Sequence, residues 1–266
     1  MDNWKEKLVN ELKIRGYSRK TIRSYLFHVE KYIGSGLNPK EFLLQMVDRQ
    51  KSKSTIRVAG FAVKFYLKHV ENKADGSINA EINKIPNIKS EKKLPEILSK
   101  KEIEDMVLTT KNLKHRLIIQ MIYAAGLRAG EVINIQWKDI DFGRNTIHIK
   151  LAKGAKDRVV MLSSRLKKGL LMLTKERDGM IFKSSRDRKY SLGSIEKIVK
   201  NAALKAGIKK KITPHSLRHS FATHLLEKGT DIRYIKELLG HARVETTMIY
   251  TKVSNRDLIK IKSPLD

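Results

Sequence analysis

The chain has 266 residues, and its 56 Lys and Arg residues against 28 Asp and Glu residues give a formal net charge of +28. That length suits one large domain or two small ones, and so strong a positive field favours a polyanionic partner, either nucleic acid or an acidic membrane surface. The absence of cysteine excludes disulfides, thiolate metal sites and cysteine nucleophiles. The apolar stretch 117–127 is interrupted by Gln120 and is far shorter than the roughly 18 apolar residues of a spanning helix. With no apolar leader at the N-terminus, we expect a soluble, cytoplasmic protein without a membrane segment.

The first part of the chain is expected to be helical throughout. Up to about residue 72, apolar residues recur at spacings of three and four, which predicts four helices. Ser18 is a candidate N-cap for the second helix, and the pair Asn38-Pro39 is typical of the start of the third. The fourth is predicted over Thr55 to Val70, and its basic residues stand apart from its apolar stripe. That basic face either follows a phosphate backbone or is an ordinary solvated face.

A linker and a second domain follow. Between Ala74 and Leu98 the periodicity is lost, and prolines and a run of charged residues appear. The capping box formed by Ser99 and Glu102 then predicts a new helix. The predicted organisation is a helical domain over 1–85, a linker over 86–98, and a second domain with a C-terminal tail over 99–266.

The second domain is predicted to mix helices with a small sheet. One helix is expected to stop at Gly126, a residue that suits a left-handed C-cap. Residues 146–151 and 157–162 alternate with period two around a short loop that carries Lys153, which predicts a β-hairpin with a lysine at its tip. From Ser191 onward the pattern is helical. The fold class is therefore mainly α with a small β-sheet.

A candidate phosphate site lies at a predicted helix start. Thr213 is placed as N-cap and Pro214 at the first helical position, so His215 and Arg218 share one face near unpaired backbone N–H groups. Two other interpretations exist. The spacing of His215 and His219 also occurs in zinc sites, but no HExxH glutamate or cysteine completes one, so no metal is predicted. The other is a structural capping histidine beside a surface arginine.

Motifs before and after the pair His215 and Arg218 help to interpret it. Upstream, "AAGLRAGEV" places Arg128 after a helix end, and downstream come "LLGH" and "TTMIY". The run from Pro214 to Val253, together with "AAGLRAGEV" and the hairpin "LAKGAKDRVVML", resembles the tyrosine recombinase (phage integrase) family, especially the Xer-type recombinases. The resemblance covers residues 98–253 and is weaker, at the level of architecture, in the N-terminal helices. It implies that 1–85 is a helical DNA-core-binding domain and that 99–266 is a mixed α/β catalytic domain with a C-terminal tail.

The resemblance implies a set of catalytic residues: Arg128, Lys153, His215, Arg218, His241 and Tyr250. Two guanidinium groups suit a pentacoordinate phosphorane, because each donates paired hydrogen bonds to nonbridging oxygens. Lys153 would protonate the leaving oxygen, with Lys150 and Lys156 as rivals. His215 would act as general base, His241 would donate to the phosphate, and Tyr250 would attack. Glu131 is expected to orient Arg128, and His219 and His224 are interpreted as structural.

The implied activity is site-specific recombination of double-stranded DNA through a 3′-phosphotyrosyl intermediate, with no cofactor. Four protomers would assemble on two DNA sites, in chromosome or plasmid dimer resolution. Each would donate its tail (residues 254–266) to a neighbour, and the alternative is a tail that folds back on its own domain. Whether an activating protein takes part is left open. Alternatives are a mobile-element integrase, a relaxase similar to type IB topoisomerases, and a non-catalytic DNA-binding protein. DNA contacts in the first domain are predicted at five residues: Arg19, Lys20, Arg23, Arg57 and Lys64.

Overall fold

The structure is a computed structural model that describes residues 3–71, 82–83, 85–88, 94–150, 157–173, 177–184 and 187–251. The chain divides into two compact units, Met1–Lys93 and Leu94–Asp266. The predicted domain limits at 85 and 99 fall on either side of this division and stay predictions. None of the helices in the described ranges combines the length and the apolar content needed to cross a membrane.

The first unit is helical, as predicted. Its elements are α1 (Trp4–Ile14), α2 (Arg19–Ser35), α3 (Pro39–Asp48), α4 (Lys53–Tyr66) and a π-helical turn (Leu67–Glu71). Ser18 caps α2 by accepting from the backbone N–H of Thr21, and Asn38 forms a capping box with Glu41 at the start of α3, so both predicted starts are confirmed. The fourth helix begins two residues before its predicted start, because Ser52 caps it.

The core of the first unit is formed by the apolar face of α4. Ala59 and Val63 have no exposed surface, and they belong to one buried cluster with Leu8 and Leu12 of α1 and Val29 of α2. Burial of such a stripe on one helix supplies most of the stability that a short helix lacks by itself. The polar faces of α2 and α4 are thereby left at the surface.

The second unit contains helices around a small sheet. Its elements in chain order are α5 (Lys100–Thr109), α6 (Leu113–Ala124), α7 (Ala129–Asn134), a 3₁₀ turn (Trp137–Asp139), β1 (Ile140–Asp141), β2 (Thr146–Ile149), β3 (Arg158–Met161), α8 (Ser164–Leu173), α9 (Leu192–Lys205), α10 (Pro214–Glu227), α11 (Ile232–Leu239) and two further 3₁₀ turns (Val244–Thr246 and Met248–Tyr250). The fold class of a mainly helical chain with a small sheet is confirmed, and so is the capping box of Ser99 and Glu102 at α5.

The sheet is antiparallel with the strand order β1-β2-β3. Ile147 pairs with Val160 and His148 with Val159, so the two long strands form the predicted pair. Ile147, Ile149 and Val160 face the core, which explains the period-two pattern. The loop residues 151–156, including Lys153, lie outside the described residues. Strand β1 has only two residues and was not predicted.

Two glycines bring the functional segments close together. Gly126, after the end of α6, has φ +64°, and a Cβ there would lie 2.5 Å from the ring of Phe221. Gly240 caps α11 with φ +59°, and a Cβ there would lie 3.1 Å from Nη1 of Arg158. Both positions therefore need glycine, because a side chain would be strained by the left-handed backbone and would crowd its neighbour.

Candidate active site

Arg218 and Arg128 converge on backbone carbonyl groups near Gly126 and Gly240. Arg218 is only 4% exposed, and its guanidinium donates to the carbonyl oxygens of Gly126 and Leu239. Arg128 stands just before α7, and its Nη2 donates to the carbonyl oxygen of Gly240 at 3.1 Å. The start of α10 that carries Arg218 is the predicted one, with Thr213 as N-cap and Pro214 in the first turn. The two arginines predicted from the sequence thus belong to one cluster.

Glu131 joins the cluster as its counter-charge. Its Oε2 accepts from the backbone N–H of Arg128 at 2.7 Å, and its Oε1 accepts from Nη1 of the same arginine at 2.9 Å. Nη1 of Arg218 lies 3.8 Å from Oε2. Burial would raise the pKa of Glu131, but hydrogen bonds from Arg158 and Arg128 outweigh it and hold the pKa below its ordinary value. The contact by which Glu131 was expected to orient Arg128 is present.

Arg158 is a site residue that sequence analysis missed. Its side chain is 7% exposed and donates from Nη1 and Nη2 to the two Glu131 oxygens at 2.9 and 2.7 Å. Its Nε donates to the carbonyl oxygen of Leu238 at 2.7 Å, which ties β3 to the end of α11. A signal was available, because Arg158 occupies an inward position of an alternating strand, where a charge needs a buried partner.

Tyr250 lies on the last 3₁₀ turn and is 1% exposed. Its hydroxyl is 3.0 Å from Nδ1 of His219, a histidine that the sequence analysis interpreted as structural. Burial raises the pKa of Tyr250, while the charges of Arg218 and Arg128 act in the opposite direction. The phenol is therefore protonated at neutral pH and has a hydrogen-bond partner.

The two predicted histidines differ in their surroundings. His241 is partly buried directly after Gly240, and its Nδ1 is 3.0 Å from Oγ1 of Thr247. Burial, followed by the nearby charges of Arg218 and Arg128, lowers the pKa of His241 to about 4. His215 is exposed on the first turn of α10, with its ring centroid 6.4 Å from that of His219.

The site is arranged to receive an anion. Burial, followed by the charge of Arg128, lowers the pKa of Arg218 to about 9. Even so, the guanidinium stays protonated at neutral pH, and Glu131 alone does not balance the charges of Arg128, Arg158 and Arg218. A bound phosphate group would relieve this excess of positive charge in a partly dehydrated place.

Of the three candidate lysines of the hairpin, the structure describes only Lys150. Lys153 and its rival Lys156 lie outside the described residues, and Lys150 pairs with Asp139 at 3.6 Å. Within the described ranges, no group of three His, Asp or Glu residues is arranged to hold a metal ion. His224, the other histidine interpreted as structural, is 8% exposed and hydrogen-bonds to the hydroxyl of Tyr123 at 2.9 Å.

The five predicted DNA contacts are all on α2 and α4 of the first unit. Arg19, Lys20 and Arg23 are exposed on the first turns of α2. Arg57 and Lys64 are partly exposed on α4, and the guanidinium carbon of Arg57 lies 5.8 Å from the ring centroid of Phe61. Phe61 is itself 48% exposed. An aromatic ring beside basic side chains is compatible with a nucleic-acid surface and with a solvated face.

Comparisons with known proteins agree on one family. Residues 96–256 match the model of the phage integrase family. The chain is 35% identical over 264 residues to a protein named tyrosine recombinase XerA from Pyrococcus horikoshii, covering 95% of this chain and 90% of the relative. It is 34% identical to tyrosine recombinase XerD from Oceanobacillus iheyensis, covering 82% of this chain and 77% of that protein.

Solved structures give the same result. A crystal structure of XerA recombinase matches with a TM-score of 0.58 and 27% identity, covering 98% of this chain and 99% of that one. XerH site-specific recombinase bound to a palindromic difH substrate, in a post-cleavage complex, matches with a TM-score of 0.74 and 25% identity over 92% of this chain and 79% of that one. A lambda integrase dimer bound to a COC′ core site shares the fold, with a TM-score of 0.76 and 20% identity over 98% of this chain and 79% of that one.

Proposed function

This chain belongs to the phage integrase family, the tyrosine recombinases, and we propose that it recombines double-stranded DNA at a specific site with Tyr250 as its nucleophile. It is a site-specific recombinase, an enzyme that breaks and rejoins DNA strands. The observation that carries the assignment of the site is the convergence of Arg128 and Arg218 on the carbonyl groups of Gly126, Leu239 and Gly240, close enough to Tyr250 to affect its pKa.

In the proposed reaction, the oxygen of Tyr250 attacks the scissile phosphorus. Arg128 and Arg218 donate hydrogen bonds to the nonbridging oxygens and stabilise the charge of the phosphorane. His241 and the exposed His215 complete the set around the phosphate. Lys153 protonates the leaving 5′ oxygen. Because the 3′-phosphotyrosyl bond conserves the energy of the phosphodiester, rejoining needs neither a nucleotide nor a metal ion.

The proposed DNA partner follows from charge and relatives. A net charge of +28 provides a general attraction for duplex DNA, and XerH and lambda integrase have each been solved on DNA. We assign Arg19, Lys20, Arg23, Arg57 and Lys64 to the phosphate contacts of the first domain. These contacts position the protein on the duplex, whereas the target sequence is read elsewhere.

The proposed biological role is the resolution of chromosome or plasmid dimers in the cytoplasm, in line with the Xer names of the relatives. Four protomers would act on two DNA sites, with or without an activating protein. The tail 254–266 lies outside the described residues, and we propose that it links neighbouring protomers. Deletion after Thr251 should then leave binding to one site intact and weaken tetramer formation.

The function is tested with the purified chain and the duplex that it protects. A nicked suicide duplex, from which the short cleaved strand diffuses away, should trap a covalent protein–DNA adduct. Two labelled duplexes should yield products joined between them. An adduct without joined products would indicate a relaxase, and binding without an adduct would indicate a DNA-binding protein. Two sites placed on one plasmid distinguish resolution, which deletes the segment, from integration of a separate circle.

A further inference from the structure

The hydroxyl of Tyr250 contacts a histidine other than the one expected to act on it. Nδ1 of His219 is 3.0 Å from the phenolic oxygen, and the two ring centroids are 5.5 Å apart. His215, the expected base, is exposed one turn earlier on α10, and its ring contacts the ring of His219. The structure therefore shows that His219, and not His215, contacts the hydroxyl of Tyr250, which residue spacing alone could not show.

We propose that His219 is a catalytic residue, the group that takes the phenolic proton of Tyr250 as this oxygen attacks the phosphate. The proposal rests on the proposed function, because it needs Tyr250 to be the nucleophile. It leaves His215 free for the phosphate or for DNA.

The Tyr250 phenol is protonated and the His219 imidazole is neutral, which are the states from which this proton transfer starts. Burial, followed by the effects of the neighbouring His215 and Arg218, lowers the pKa of His219 to about 4, so the imidazole is neutral at neutral pH. Burial keeps the Tyr250 phenol protonated. In the tautomer with its proton on Nε2, the free Nδ1 of His219 accepts the hydrogen bond that the phenol donates.

The position of His219 in the fold adds a second argument. It follows Arg218 directly on α10, so one helix holds both the proton acceptor and the guanidinium that would bind the phosphate. Tyr250 is 1% exposed, so a phosphate reaches its oxygen only after the side chains over it withdraw. The negative charge of the phosphate would then offset the charge of Arg218, which raises the pKa of His219 and makes it a stronger base when DNA is bound.

The attack of Tyr250 on the phosphate transfers one proton to His219 and one from Lys153. The O–H bond of Tyr250 breaks and an Nδ1–H bond forms on His219. The phenolic oxygen bonds to phosphorus while the bond from phosphorus to the 5′ oxygen breaks, and Lys153 gives that oxygen a proton. In rejoining, the 5′ hydroxyl returns its proton to Lys153 as its oxygen bonds to phosphorus. The bond from phosphorus to the Tyr250 oxygen breaks, and His219 returns its proton to that oxygen.

The experiment measures the single-turnover rate of adduct formation on the suicide duplex by the full chain. His219→Ala should bind DNA as wild type does and form the adduct about 10²-fold more slowly or worse, the usual effect of losing a general base. His219→Asn should stay slow, because its Oδ1 can accept the hydrogen bond from Tyr250 but cannot take the proton. His224→Asn, a buried histidine on the same helix outside the site, controls for damage to α10 and should keep the wild-type rate.

The pH dependence of the rate of adduct formation distinguishes a catalytic role of His219 from a structural one. The wild-type rate should fall as the pH drops through the pKa of His219, and both His219 variants should lose this limb. The charged and titratable groups that face His219 are His215 and Arg218 on its own helix, His241 after α11, Arg128 before α7, and Tyr250 itself. They remain in both variants, so a limb that survives there belongs to one of them and overturns the proposal.

A modified substrate distinguishes the base from the acid. A duplex with sulfur in place of the 5′ bridging oxygen has a leaving group that needs no proton, so it should rescue Lys153→Ala but not His219→Ala. Rescue of His219→Ala, a normal or faster rate in that variant, or full activity of His219→Asn would overturn the inference and leave the proposed function standing. A wild-type chain that forms no adduct would overturn both.

Discussion

The carboxylate of Glu131 is expected to be the most important single charge for the stability of the second unit. Its side chain is 10% exposed and accepts four hydrogen bonds, two from Arg158 and two from Arg128. Glu131→Gln keeps the size of the side chain but removes the charge, which leaves the buried guanidinium of Arg158 without a counter-ion. Breaking a buried ion pair by removing one partner costs about 3–5 kcal/mol of the free energy of unfolding.

A matched control exists at the surface. Glu104 pairs with Arg165 at 3.2 Å, but the two side chains are 58% and 56% exposed. An exposed pair contributes at most about 1 kcal/mol, so Glu104→Gln should change the free energy of unfolding by less than that. Urea denaturation of the three proteins at neutral pH, followed by circular dichroism, measures both differences. Equal losses in the two variants would refute the view that Glu131 is the counter-charge of the cluster.

The pH dependence provides a second check on Glu131. Its pKa in the folded chain lies below the ordinary value of 4.5, so its contribution to stability is complete above about pH 4.5 and is lost as the pH falls through the folded pKa. The difference between wild type and Glu131→Gln should therefore be constant from neutral pH down to that point and shrink below it. A difference that shrinks already near neutral pH would contradict the assignment.

Three further outcomes are expected. Arg218→Lys keeps a charge but loses the planar fork, so the rate of adduct formation should fall by orders of magnitude with DNA affinity little changed, and normal cleavage would exclude the arginine pair as the phosphate clamp. Alanine at each of the five proposed N-terminal contacts should reduce the slope of log affinity against log salt by about one per true phosphate contact, whereas an unchanged slope would make the residue part of a solvated face. Because the pKa values of His219 and His241 are lowered from 6.5 to about 4, the unfolded chain binds more protons between these values, so the free energy of unfolding should fall as the pH drops from 6.5 to 4. Replacing both histidines by Gln should flatten that part of the curve.

Local rules predicted the starts and ends of helices well. Ser18, Asn38 and Ser99 cap helices through hydrogen bonds to residues three positions away, which a sequence shows directly. Gly126 adopts the left-handed conformation expected after a helix. Strand β1 was missed because two residues give no period, and the change to π-helix at Leu67 leaves no sequence signal.

The same local rules could not predict contacts between segments that are distant in the sequence. The partner of Arg158 is 27 residues away, and the contact between His219 and Tyr250 spans 31 residues. His215 and His219 are four residues apart on one helix face, so spacing could not tell which ring meets a tyrosine carried by another element. The packing of the last 3₁₀ turn against α10 decides this, and that packing is a tertiary property.

The most direct test of the account is the identity of the residue that becomes covalently attached to DNA. After reaction with the suicide duplex, digestion of the adduct and mass spectrometry should place the phosphotyrosyl bond on Tyr250. Tyr250→Phe should bind DNA as wild type does and form no adduct. Tyr234→Phe removes a hydroxyl from a tyrosine that is 64% exposed on α11, and it should react normally. An adduct that persists in Tyr250→Phe, or that maps to another tyrosine in the wild-type chain, would contradict the central claim.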